Sequence, residues 1–109
     1  MAIFAMCMPI LPGKKDKWLR KMDELKQEPM RTAFRSSREE AGVHERSFLQ
    51  ETPNGDFVIL TFEGDDPVAS FGKIMANMPP DFAAFAKDVH GLEASAPPPA
   101  ITLVFDSRD

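Results

Sequence analysis

The predicted strand Phe57–Glu63 is apolar on both of its faces, and this feature constrains the fold more than any other. Successive side chains of a strand point to opposite faces, and here both sets are large: Phe57 and Ile59 on one face, and Val58, Leu60 and Phe62 on the other. A sheet that helices cover on one face only normally has a polar second face. We therefore expect a second layer over the far face, most simply an identical chain related by a two-fold axis.

The predicted first strand, residues 2–8, repeats this pattern, with Phe4 and Met6 on one face and Ile3 and Cys7 on the other. The alternative to a dimer is a monomer whose termini and loops fold over the far face. A chain of 109 residues is expected to form one domain, residues 1–109, with a core of its own. In such an apolar strand, Cys7 is expected to be a buried, unreactive thiol.

The predicted elements alternate in a recognisable order. They are a strand at 2–8, a helix at 14–41 broken at Pro29, a hairpin of strands 43–52 and 57–63 around Asn54-Gly55, helices from Pro67 to His90 broken at Pro79-Pro80, a loop at 92–99 and a strand at 100–105. The acidic pair Asp65 and Asp66, followed by Pro67, is the expected cap of the third helical piece, and Gly42 is the expected stop of the second. The order predicts an α+β fold of the ferredoxin-like β-α-β-β-α-β type, a four-stranded antiparallel sheet with helices on one face.

Charge and composition exclude several classes of partner. Thirteen basic against seventeen acidic residues give a net charge of −4, which argues against nucleic acid or an anionic membrane as a partner. The apolar first twelve residues lack a positive leading region and a cleavage site, and no apolar run is long enough to span a bilayer. With one cysteine and two distant histidines, no metal site is expected. We expect a cytoplasmic protein.

The element order, the size and the two-sided strands resemble the dimeric α/β-barrel superfamily, which includes antibiotic-biosynthesis-type monooxygenases, haem-degrading monooxygenases and stress-responsive barrel proteins. The stretch from Phe48 through the hairpin to Glu63-Gly64-Asp65-Asp66-Pro67, with His90-Gly91 later, also resembles a small uncharacterised bacterial family within it. The resemblance covers nearly the whole chain. It implies a homodimer whose sheets meet face to face, and a pocket between sheet and helices in each chain.

Haem-degrading members of that group use an asparagine on the first strand, a tryptophan on the third and a histidine on a helix. Here the first strand has no asparagine, and Phe62 and Phe85 stand near the other two positions. The sequence therefore indicates no haem, and no cofactor is expected.

Two histidines are the candidate catalytic residues. His90 is expected at the end of the last helix, where it can act as a general base at the pocket mouth or simply bind free helix carbonyls. His44 begins the second strand and shares a face with Arg46, Phe48 and Gln50. That face can bind an anionic or quinone-like ligand, or it can be a solvated strand or the polar rim of a dimer interface.

The pocket itself is expected to involve Phe4, Met6 and Phe62 from the strands and Trp18 from the first helix. A tryptophan at the Trp18 position is more often a core residue than a platform for a ligand. The charged run from Arg35 to Glu40 is expected to be a solvated helix face.

Three functions remain open at this point. The first is binding of a small apolar or aromatic molecule without catalysis. The second is a cofactorless, monooxygenase-like reaction on an aromatic or polyketide-like substrate. The third is a structural dimer without a ligand. The sequence offers no cluster of polar side chains of the kind that catalysis requires, which favours binding without catalysis.

Overall fold

Three antiparallel strands form the sheet, and four helices accompany it. A computed structural model describes residues 2–93 and 101–108. In chain order the elements are β1 (Ala2–Ile10), α1 (Lys15–Leu25), α2 (Met30–Ala41), β2 (Val43–Thr52), β3 (Gly55–Gly64), α3 (Pro67–Ala76) and α4 (Pro80–His90). The strand order is β1-β3-β2, so β3 is central and β1 has a free edge within the described residues.

The helix ends follow local sequence signals. The Asp66 side chain accepts a hydrogen bond from the backbone N–H of Ala69 at 3.2 Å, and proline follows it at the first helical position. Gly42 and Gly91 end α2 and α4 in the left-handed conformation, which glycine adopts without a steric cost. The break expected at Pro29 separates α1 from α2. The predicted cap before Pro67, the stop at Gly42 and the break at Pro29 are thus confirmed.

The two sheet faces differ in what covers them. Phe62 of β3 lies opposite Phe4 of β1 and opposite Glu45 of β2. Because residues opposite each other in a sheet share a face, all three point to the helices. The same inward face carries the core residues Met6, Met8 and Val58. The outward face has no helix of the described residues on it, and it leaves Ile3 and Phe48 exposed. On β3, Ile59 pairs with the outward Cys7, so β1 and β3 both carry apolar side chains on both faces, as predicted.

β1 is longer than predicted. The sequence predicts a strand at residues 2–8, but β1 continues to Ile10, with Pro9 opposite Phe57. Proline is tolerated here because β1 lies at a sheet edge, where a missing N–H need not cost a ladder hydrogen bond.

The C-terminal segment differs from the prediction. Residues 101–105 belong to no strand and are exposed, with Phe105 79% accessible, so the described sheet has three strands rather than four. The alternation of this segment favours a strand, but a strand also needs a paired backbone and a covered apolar face, and neither exists here in the single chain. Ala100 and most of the predicted loop 92–99 lie outside the described residues.

Among the described residues, none of the helices has the length and apolar character that crossing a membrane requires.

Candidate ligand-binding cavity

A cavity of about 340 Å³ lies between the inward face of the sheet and the helices. Methionine, aromatic and aliphatic side chains make up most of its wall, with a few charged groups among them. Its lining residues are Met6, Met8, Trp18, Lys21, Met22, Phe34, Arg38, Glu45, Ser47, Val58, Leu60, Phe62, Phe71, Ile74, Met75, Met78, Phe82, Phe85, Ala86, His90, Gly91, Leu92 and Glu93. This size and composition are typical of sites for small organic ligands.

The sheet supplies a rigid floor to the cavity. Alternation along β1 and β3 brings Met6, Val58 and Phe62 to the inward face, where all three are buried. Phe62 packs edge-on against Phe71 of α3 with 5.3 Å between ring centroids. Phe4 contacts both of these rings but does not reach the cavity lining, so it supports the wall from behind.

Trp18 is buried and lines the cavity from α1. Of the residues predicted for the pocket, the structure thus brings together Trp18, Met6, Phe62 and His90 at one cavity. Trp18 therefore serves the core and the cavity wall at once.

His90 is buried at the end of α4 and bonds to β1 rather than to its own helix. Its Nδ1 donates a hydrogen bond to the backbone carbonyl of Pro9 at 2.8 Å, and the backbone N–H of Leu11 donates to the Val89 carbonyl nearby. Burial lowers the pKa of His90, and the bond to Pro9 opposes this only in part. The imidazole is therefore held neutral, with its proton on Nδ1 and its Nε2 lone pair available as a base.

A second polar group in the wall was not predicted. Arg38 Nε donates a hydrogen bond to Glu45 Oε1 at 2.7 Å, and the guanidinium lies over the Phe34 ring, 4.0 Å from its centroid. The Glu45 side chain is only 8% exposed. Burial raises the pKa of Glu45, and Arg38 opposes that rise.

The assignment of Arg38 to a solvated helix face was wrong. Its guanidinium lies over Phe34, four residues earlier on α2, and pairs with Glu45 on β2. One signal for this pair was present in the sequence. Strand alternation places Glu45 on the opposite face from His44 and Arg46, so a carboxylate had to face the helices.

The other predicted site residues lie on the outward face. His44, Arg46 and Phe48 point away from the cavity, on the opposite side of β2. Arg46 forms an ion pair and a hydrogen bond with Glu63 of β3, which lowers the pKa of that carboxyl. The structure thus separates the predicted residues into a cavity group and a surface group.

Cys7 also lies on the outward face. The prediction of a buried thiol was wrong, because the side chain is exposed in the single chain. Cys7 lies between Met6 and Met8 on β1, and because successive side chains alternate, those two methionines occupy the inward face. Within the described ranges, no three histidine, cysteine or acidic side chains are grouped to hold a metal ion.

A second depression of about 510 Å³ lies beside the cavity, bordered by α2 and the α3–α4 connection. Phe34 and Phe82, with ring centroids 6.4 Å apart, line both spaces. The second space also has Glu40, Lys73 and Asp81 in its wall, and it lacks Trp18 and His90. The first cavity is therefore the better candidate site.

No protein-family model matches the chain, and no match was found among curated proteins or among solved structures. The geometry of the cavity therefore carries the functional argument.

Proposed function

We propose that this protein binds a small apolar or aromatic molecule in the cavity between its sheet and its helices. The observation that carries the proposal is the cavity itself, about 340 Å³ in volume and walled mainly by methionine and aromatic side chains. A purely structural dimer has no need of a concave apolar space of this size, whereas such spaces are typical of sites for small ligands.

The methionines suit this role. Five of the chain's seven methionines, Met6, Met8, Met22, Met75 and Met78, line the cavity. Methionine is flexible and polarizable, and it adapts its shape to an apolar ligand or to aromatic rings. Such a wall is suited to apolar ligands of several shapes rather than to a single ligand.

The proposal extends to the assembly and the family. Two copies pack through the outward faces of their sheets, in the manner of the dimeric α/β barrels that the sequence resembles. Phe48 on β2, 51% exposed on that face, supports this contact, as does the exposed Ile3 on β1. In the assembled protein, residues 101–105 add the fourth, ferredoxin-like strand at the free edge of β1.

A cavity-filling substitution tests the binding proposal. Ala86 of α4 lines the cavity, whereas Ala84 of the same helix is exposed. The neutral probe N-phenyl-1-naphthylamine, which fluoresces brightly out of water, is expected to bind the wild type and Ala84→Phe alike. In Ala86→Phe the added ring occupies the space, and affinity is expected to fall by roughly tenfold or more. Equal binding by all three proteins, or no binding to the wild type, would contradict the proposal.

A second candidate function is a cofactorless, monooxygenase-like reaction on an aromatic substrate. The buried, neutral imidazole of His90 in the cavity wall favours it, because such a base can take a proton from an acidic hydroxyl or carbon of a bound molecule. Oxygen uptake with a panel of quinones and anthrones tests this candidate. Turnover that disappears in a folded His90→Gln variant supports it, and silence across the panel leaves binding as the function.

A further inference from the structure

Lys21 holds a positive charge against two aromatic walls of the cavity. Its Nζ lies 5.5 Å from the ring centroid of Phe82 and 5.4 Å from that of Phe85. All three side chains line the cavity. Attraction to the ring faces fixes the ammonium group at this place.

The acidic partner of Lys21 is weakly held. Glu24 Oε2 lies 3.2 Å from the ammonium, one turn further along α1. The Glu24 side chain is 59% exposed and that of Lys21 only 22%. Pairs with so exposed a partner contribute little to stability, because water and salt screen them. A ligand carboxylate that reaches Lys21 from the cavity side can therefore replace Glu24.

The other charged groups of the wall already have protein partners. Glu45 is bonded to Arg38, and Glu93 lies 3.2 Å from the Nζ of Lys87. His90 is neutral and bonded to Pro9. Of the two cationic side chains in the described wall, Arg38 is bonded to the buried Glu45, whereas the partner of Lys21 is exposed, so Lys21 is the cation more available to a negative group of a ligand.

From this arrangement we propose that the ligand is an aromatic molecule with an anionic substituent, such as an aryl carboxylate. Its ring lies among Phe34, Phe82 and Phe85, and its carboxylate accepts a hydrogen bond from Lys21 Nζ. This inference rests on the proposed binding function, to which it adds the charge of the ligand.

Three probes with one ring system test the inference by calorimetric titration: 2-naphthoate, 2-naphthamide and 2-naphthylmethylammonium. The wild type is expected to bind the carboxylate roughly tenfold more tightly than the amide, as one charge-assisted hydrogen bond predicts, and the cation most weakly. If the amide or the cation binds as tightly as the carboxylate, the inference is overturned while the apolar site stands. If none of the three binds, the proposed function fails as well.

Variants of two lysines localise the effect. Lys21→Met is expected to abolish the preference for the carboxylate and to leave amide binding unchanged, whereas Lys21→Arg retains the preference. Lys26→Met is the matched control, since Lys26 also faces an acidic residue three positions away, Asp23, but lies outside the cavity. Equal weakening of both probes in Lys21→Met, or a preference that survives it, would overturn the assignment of Lys21. The wild-type comparison stands even if Lys21→Met does not fold.

Discussion

At the scale of single residues, two buried ionisable groups in the cavity wall respond to pH in opposite senses. Burial lowers the pKa of His90, so the unfolded chain binds a proton there more readily than the folded protein does. Burial raises the pKa of Glu45, so at that position the folded protein binds the proton more readily. The contribution of His90 to the free energy of unfolding therefore decreases as the pH falls. The contribution of Glu45 decreases as the pH rises.

The His90 effect is measurable by itself. Below about pH 6.5, the ordinary pKa of histidine, the unfolded state becomes protonated first, and the free energy of unfolding is expected to fall as the pH falls further. His90→Gln keeps a side-chain donor for Pro9 but cannot titrate. Denaturant unfolding of both proteins from pH 7.5 to 5 is expected to show a difference that shrinks toward acid. A constant difference across that range would mean that His90 is not held neutral.

At the scale of secondary-structure elements, the caps fix where the cavity helices begin and end. α3 supplies Phe71, Ile74 and Met75 to the wall, and its first turn depends on Asp66. Asp66→Ala is expected to lower the free energy of unfolding by about 1 kcal/mol, because the Ala69 N–H loses its acceptor. Asp65→Ala, one residue earlier and outside the helix, is the control and is expected to have little effect. Equal losses in the two variants would show that the cap is not the cause.

Local signals explain which elements could be predicted from the sequence. Gly42, Gly91, Asp66 and Pro67 mark helix ends through backbone conformation and short-range hydrogen bonds, which neighbouring residues determine. The predicted last strand is not present at residues 101–105 in the described sheet, because a strand needs a distant paired edge, which no local pattern encodes.

Part of the candidate site could also be predicted from the sequence. Alternation and helical spacing brought Met6, Phe62 and Trp18 to one layer, and the cavity includes all three. The Arg38–Glu45 pair was missed because it joins the end of α2 to β2 by a folded-back side chain, a contact that appears only once both elements are placed.

At the scale of the whole molecule, the proposed dimer would cover the outward sheet face. Phe48→Asp places a charge in that contact and is expected to convert the dimer to a monomer. Val68→Asp makes the same kind of change at an exposed apolar residue on α3, away from the sheet face, and is expected to leave the dimer intact. Light scattering distinguishes the two outcomes. A wild type that is monomeric at micromolar concentration would refute the dimer, and with it the proposed barrel assembly.

The central claim is that the space between sheet and helices holds the ligand, and the methionine methyl groups report on it directly. Met6, Met8, Met22, Met75 and Met78 line the cavity, and Met30 of α2 does not. In methyl-labelled protein titrated with 2-naphthamide, NMR signals of these five methionines are expected to shift together while the Met30 signal stays in place. Unchanged cavity methyls, or an equal shift at Met30, would contradict the claim.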